Sequence, residues 1–174
     1  MKKIIFIFTA IAMMAGFTTK VMAQSPITQT VPNDARAEVL NAIGLTAVHI
    51  LEFGGLSSSG TAGTVVMTPL SVRTATGGVT LVATSTTPTA ASYTMTGSPS
   101  THYNIVLPTG NIMITRVGNS ATMAVNTFTC SYSSLSSTTT VAGTDAFTVG
   151  ATLNVGASQL PGTYVGPFDV SVVY

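Results

Sequence analysis

An antiparallel all-β fold, a sandwich in preference to a barrel, is what this 174-residue sequence predicts, and three observations carry it. Short runs of alternating apolar and polar residues recur along the chain, each closed by Gly, Pro or Asn. Ser and Thr supply roughly three in ten residues beyond position 23, and Thr is interleaved with Val, Ile, Phe and Tyr, whose branched or aromatic side chains suit a pleated, half-buried surface. No stretch carries a clear helical period, and no repeat of useful length occurs, which disfavours a solenoid or propeller.

The chain begins Met1-Lys2-Lys3, turns apolar over residues 4–17, and reaches Val21-Met22-Ala23 before Gln24. A basic start, an apolar run and a small-x-small site are the order signal peptidase requires, so residues 1–23 are expected to be a cleaved signal peptide. The run is too short for a spanning helix, which needs about 20 apolar residues, and no membrane span is expected after cleavage. Residues 24–34 read as an N-terminal tail: Ile27 and Val31 stand among polar residues and two prolines, too little to fold alone. Residues 35–174 are the expected β-sandwich domain.

Cleavage removes Lys2, Lys3 and Lys20, so the expected mature chain has no lysine. Arg36, Arg73 and Arg116 face Asp34, Glu38, Glu52, Asp145 and Asp169, a net charge of −2. No basic patch is present to attract nucleic acid or an anionic membrane. The apolar fraction of 45% is far above that of disordered chains, so a core can form. Cys130 is the single cysteine and no internal disulfide is possible; Phe128 and Tyr132 flank it at period two, so it reads as a small apolar residue on the buried face of a strand, with a thiol that pairs with a second copy as the alternative.

Strand by strand, Leu45, Ala47, His49, Leu51 and Phe53 share one face, and Gly54-Gly55 stops the run. The preceding residues 34–43 continue that alternation and read as strand, with a short Asp34-capped helix as the alternative. Ala91, Tyr93 and Met95 alternate with Ser92, Thr94 and Thr96; Tyr103, Ile105 and Leu107 follow and end at Pro108. Residues 123–132 form another strand, and residues 133–140 a polar loop. A closing hairpin is expected, from residues 147–155 through a turn at 159–162 to a strand over 164–174, where Tyr164, Phe168, Val170, Val172 and Tyr174 face one way.

Chemistry is scarce. His49 and His102 are the only histidines, at no metal-ligand spacing, and one cysteine cannot build a thiolate site, so no metal and no cofactor are expected. Gly55-Leu56-Ser57-Ser58-Ser59 has the start of a nucleophile elbow without the closing glycine. No second carboxylate stands near Glu52 or Asp169 in sequence, as a glycosidase pair would suggest. No catalytic residue is identified.

The ordered elements Ile50-Leu51-Glu52-Phe53-Gly54, Tyr93-Thr94-Met95-Thr96-Gly97, His102-Tyr103-Asn104-Ile105-Val106-Leu107-Pro108 and Met123-Ala124-Val125-Asn126-Thr127-Phe128 are followed by Leu153-Asn154-Val155-Gly156-Ala157. They lead to the ending Gly162-Thr163-Tyr164-Val165-Gly166-Pro167-Phe168-Asp169-Val170-Ser171-Val172-Val173-Tyr174. Over roughly residues 35–174 this set resembles the secreted bacterial domain-of-unknown-function family 4402, and its ending is similar to spore-coat-U-like and archaic chaperone-usher pilin subunits. The resemblance implies an immunoglobulin-like, pilin-like sandwich, a place in surface filaments, fimbriae or adhesion, and no catalytic residues. Many spore-coat-U-type pilins carry a cysteine pair, whereas Cys130 is alone here.

The expected function is therefore a secreted, cell-surface structural subunit, a homo-oligomer or filament assembling by β-strand complementation between copies, with a periplasmic chaperone and usher as partners. Ile27 and Val31 of the tail and Tyr164, Phe168, Val170, Val172 and Tyr174 of the last strand are the candidate assembly residues. The competing expectation is a monomeric binding module for glycan or protein, using residues 57–61 and 133–140 as polar contact loops. The exported protein is expected to start at Gln24, which its intact mass checks; a retained segment 1–23 would mean an anchor instead.

Overall fold

The structure, a computed structural model, describes residues 29–174; the signal segment and Ile27 lie outside the described residues. Residues 29–37 carry no regular secondary structure and are exposed throughout. From residue 38 onward the chain forms one unit of eleven strands, with no helix among the described residues. They are β1 (Gly44–His49), β2 (Leu56–Met67), β3 (Arg73–Leu81), β4 (Ala91–Thr96), β5 (His102–Val106) and β6 (Ile112–Arg116). β7 (Thr122–Cys130), β8 (Ser136–Thr138), β9 (Thr144–Val155), β10 (Tyr164–Val165) and β11 (Ser171–Val173) complete the set.

All pairing is antiparallel. One eight-stranded sheet runs β1-β4-β9-β7-β6-β10, with β2 joined to both β9 and β3. A three-stranded sheet runs β11-β5-β8. β9 organises both: Phe147, Val149, Ala151, Leu153 and Val155 alternate inward and all are buried. Its first half meets Met95, Tyr103, Ile105 and Val172, which packs the small sheet onto the large one. Its second half meets Val65, Met67, Val79, Met123 and Val125. Two apolar clusters thus share one strand.

Because residues 149–154 pair with β7, both β4 and β2 must lie on the other side of β9, one after the other. The handover falls at Gly150, between the Ala91↔Val149 and Met67↔Ala151 pairs. A Cβ at Gly150 would strike the Met67 carbonyl oxygen and the Thr68–Pro69 peptide where β2 turns away. Glycine is required there by close approach of another backbone.

β7 changes phase part-way. Met123 and Val125 point into the first cluster, a register shift follows between Asn126 and Thr129, and Phe128 and Cys130 then point into the second. The extra residue puts Thr127 at φ 49°, an uncommon conformation for a β-branched side chain, as a bulge demands. Phe128 touches both clusters and packs on Phe168 with ring centroids 5.1 Å apart.

Several expectations are corrected. Residues 34–43 join no sheet, because β4, the partner of β1, ends opposite Gly44 at Thr96, and the next amide, Gly97 N–H, bonds Gly143 O instead. His49 is exposed: a register shift between Ala47 and His49 takes it off the apolar face. The closing hairpin does not form, since β9 is occupied on both sides, so the returning chain pairs β10 with β6 and β11 with β5. The final segment is broken by Gly166-Pro167, where proline has no N–H to give a ladder. Residues 57–61 belong to β2, and the segment 133–140 contains β8. Cys130 is a free thiol, half-buried against the second cluster.

Replacing Gly150 with Ala is expected to cost about 1–3 kcal/mol in denaturant unfolding, since the clashing atoms are backbone. Gly110→Ala, where a Cβ meets open space, is the control and should be neutral. Equal stabilities for the two variants would refute the crossover role of Gly150.

Candidate assembly edge

The small sheet is held by one carboxylate. Asp145, at the start of β9, accepts from Tyr103 Oη on β5 (2.8 Å to Oδ2), Ser137 Oγ on β8 (2.8 Å to Oδ2), Tyr132 Oη (2.8 Å to Oδ1) and the Ala146 amide (2.8 Å to Oδ1). Tyr103 is fully buried, so its hydroxyl has no water to turn to. Burial pushes the Asp145 pKa up, but the hydrogen bonds from Ser137, Tyr103, Tyr132 and Ala146 outweigh it and hold the group below its ordinary value. Burial first, and then the bond to the Asp145 anion, push the Tyr103 and Tyr132 phenols above theirs.

At one end of the domain two sheet edges come together. β1 pairs only with β4, β11 pairs only with β5, and β1 and β11 approach each other. Tyr174 closes this corner. Its hydroxyl donates to Asn41 O at 3.0 Å and accepts from the Ser98 amide at 2.7 Å. The Asn41 amide in turn donates to Ser98 Oγ, and Thr139 Oγ1 donates to Ser98 O at 2.6 Å. A side chain at Gly97 would occupy the place of the Tyr174 hydroxyl. Both backbone groups of Asn41 are thereby fixed where the chain enters the domain.

The sequence-selected residues among those described fall in four places. Phe168, Val170 and Val172 pack into the second cluster, with Val172 buried. Tyr164 packs on the first cluster, and its hydroxyl donates to Leu160 O at 2.7 Å and accepts from Gln159 Nε2 at 2.7 Å. Tyr174 is 40% exposed at the corner, and Val31 is 80% exposed in the segment before the domain. In β11 Val172 is therefore committed inward while Val173 is 46% exposed, so its edge offers backbone and one outward apolar side chain. Asp145, Ser98 and Asn41 were not singled out by sequence; a lone carboxylate between two Thr-rich stretches was the only signal for Asp145.

Among the described residues no three His, Cys, Asp or Glu side chains come together as a metal site, and no helix is long and apolar enough to cross a membrane. A family profile described as Domain of unknown function (DUF4402) matches residues 43–174. The chain belongs to that family. No curated protein and no solved structure matches it. The match begins one residue before β1 and ends at Tyr174, so the β1 and β11 edges and the Tyr174 corner lie inside the DUF4402 domain, whereas Asn41 and the exposed segment lie before it.

Removing the Asp145 carboxylate leaves a buried phenol without an acceptor, so Asp145→Ala is expected to cost about 1.5–3 kcal/mol at pH 7. A carboxyl depressed in the native state stabilises fully above its unfolded value of about 4, and that stability is lost as pH falls through the native value. The phenols have the opposite sign: their contribution is complete below about pH 10 and is lost above it. The variant should lose the Asp145 contribution to the acid slope in urea-unfolding curves from pH 2 to 7; an unchanged slope would show that Asp145 does not brace the small sheet.

Proposed function

We propose that this DUF4402 chain is a secreted structural subunit of a surface filament or fimbria, an immunoglobulin-like sandwich that assembles by β-strand complementation between copies. The observation that carries this reading is the pair of adjoining open edges, β1 and β11, in a chain whose residues 29–42 form no strand of their own. An edge strand presents a row of unpaired N–H and C=O groups, and an extended segment of another copy can satisfy them. Val31 and Val39, 80% and 94% exposed, supply apolar side chains on such a segment. In this reading the signal peptide delivers the chain to the periplasm, a chaperone covers the edges until assembly, and an usher passes the subunits to the cell surface.

Deleting residues 24–34 tests the donor. The exported wild-type chain is expected to give ladders by size exclusion and fibres by electron microscopy. The deletion should be exported with the same thermal midpoint as a single monomeric species. An oligomer distribution that the deletion leaves unchanged would rule out donation from this tail, and a wild-type chain that stays monomeric would remove the filament reading itself.

A further inference from the structure

At the far end of β9 from those edges, the outer face of the large sheet carries a shallow groove of about 510 Å³. Cross-strand register builds its floor: Thr64 on β2, Asn154 on β9, Ala124 on β7 and Met113 on β6 stand in one row across four strands. Each alternates with an inward residue, such as Val65, Leu153 and Val125 in the first core cluster, so the row faces solvent by the period-two rule. No ionisable side chain lines the groove.

The amides are locked by one another. Asn154 Nδ2 donates to Asn126 Oδ1 at 3.1 Å and to Ala124 O at 3.3 Å, and Asn126 Nδ2 donates to Asn111 Oδ1 at 3.0 Å. Thr64 Oγ1 and Thr76 Oγ1 lie 2.7 Å apart. At the groove's end, Gln159 bridges the Thr122 carbonyl at 3.3 Å and the Tyr164 hydroxyl at 2.7 Å. Every such bond uses part of a side chain's capacity: an amide offers two donors and two acceptor lone pairs, and a hydroxyl one donor and two. Both amide hydrogens of Asn154 and of Gln159 are engaged, and Gln159 Oε1 accepts from the Gly156 amide, so these two side chains keep mainly oxygen acceptor capacity, and pre-ordered groups lose less freedom on binding.

We propose that this face is a binding site for a neutral polysaccharide. Neutral sugars present hydroxyls that donate and accept at once, matching amide and hydroxyl groups without a charge to desolvate, and the aliphatic patch of Met113 and Ala124 suits the C–H face of a pyranose ring. A charged polymer finds no counter-charge in the lining. The site stands apart from the open edges, so it is independent of the filament reading.

Affinity electrophoresis of the exported protein through native gels containing dextran, mannan or laminarin, with alginate as the anionic comparison, tests it. At least one neutral polymer should retard the wild type, and Met113→Asp, a 50%-exposed position where a charge does not threaten the fold, should weaken that retardation at least tenfold. Asn126→Ala, which cuts the amide relay, should weaken it too, and both variants should keep the wild-type thermal midpoint. Retardation by alginate alone, none by any neutral polymer, or retardation untouched by Met113→Asp would each overturn the proposal. So would loss of the groove's exposure through self-association of the wild type along this face.

Discussion

Sharing one strand between two cores constrains everything else in this domain. The inward side chains of β9, from Phe147 to Val155, belong to both clusters, so the strand must stay straight and in phase along its whole length. Its neighbours absorb the mismatch instead. On one side β4 and β2 take successive halves, which forces a handover at a residue with no side chain. On the other side β7 pairs with residues 149–154, across the handover, and it reverses its phase through a bulge so that Phe128 can reach the second cluster after Val125 has served the first. Gly150 and Thr127 are thus two answers to one requirement. Burying five side chains of this kind removes a large apolar surface from water, at about 25 cal/mol per Å², which is ample to hold one strained φ angle of about 1–3 kcal/mol.

The small sheet lacks that advantage. Its three strands contribute Tyr103, Ile105 and Val172 to the core, and β8 is only three residues long. A short strand with an apolar contribution this small needs a directional tie, and Asp145 supplies it by accepting from β5, β8 and the β7–β8 connection together. Half-burying a carboxylate is unfavourable by itself. Four donors more than offset it, which is why the net pKa shift is downward although burial pushes the other way. The carboxylate stays charged at neutral pH, and the anion makes each of those bonds stronger than a neutral acceptor would.

Local pattern was legible in the sequence and partnership was not. The alternation of Ala91, Tyr93 and Met95, of Tyr103 and Ile105, and of Phe147 through Val155 announces strands and their inner faces, because side-chain direction is fixed by the period of two. Which strand pairs with which depends on what occupies the other side of β9, and no local window holds that information; the expected closing hairpin fails for this reason. The last segment reads as one strand because its apolar positions keep phase, yet Gly166-Pro167 divides it between two sheets. Asp145 is invisible for the same cause in sharper form: its donors come from positions 42, 13 and 8 residues away, each unremarkable alone. Residues 34–43 carry alternation without a partner, and alternation alone does not make a strand.

Two kinds of unpartnered surface remain, and they differ in what can satisfy them. The edges at β1 and β11 present backbone groups, which any extended chain can pair, so selectivity there must come from delivery and from the shape of the Tyr174 corner. The outer face over β2, β9, β7 and β6 presents fixed neutral side chains, which discriminate by chemistry and not by backbone geometry. A contact made through the edges does not cover that face, because the edges lie at the opposite end of β9. If subunits join edge to tail, every copy along the filament repeats the same neutral face. Contacts with a repeating polysaccharide are individually weak, and a regular array of them raises the effective concentration at each successive site, so avidity can exceed single-site affinity by about 10²–10⁴ without any tighter pocket. The groove on a single copy needs no filament to bind, and an array of copies adds avidity to it for a chain-like ligand long enough to reach successive subunits.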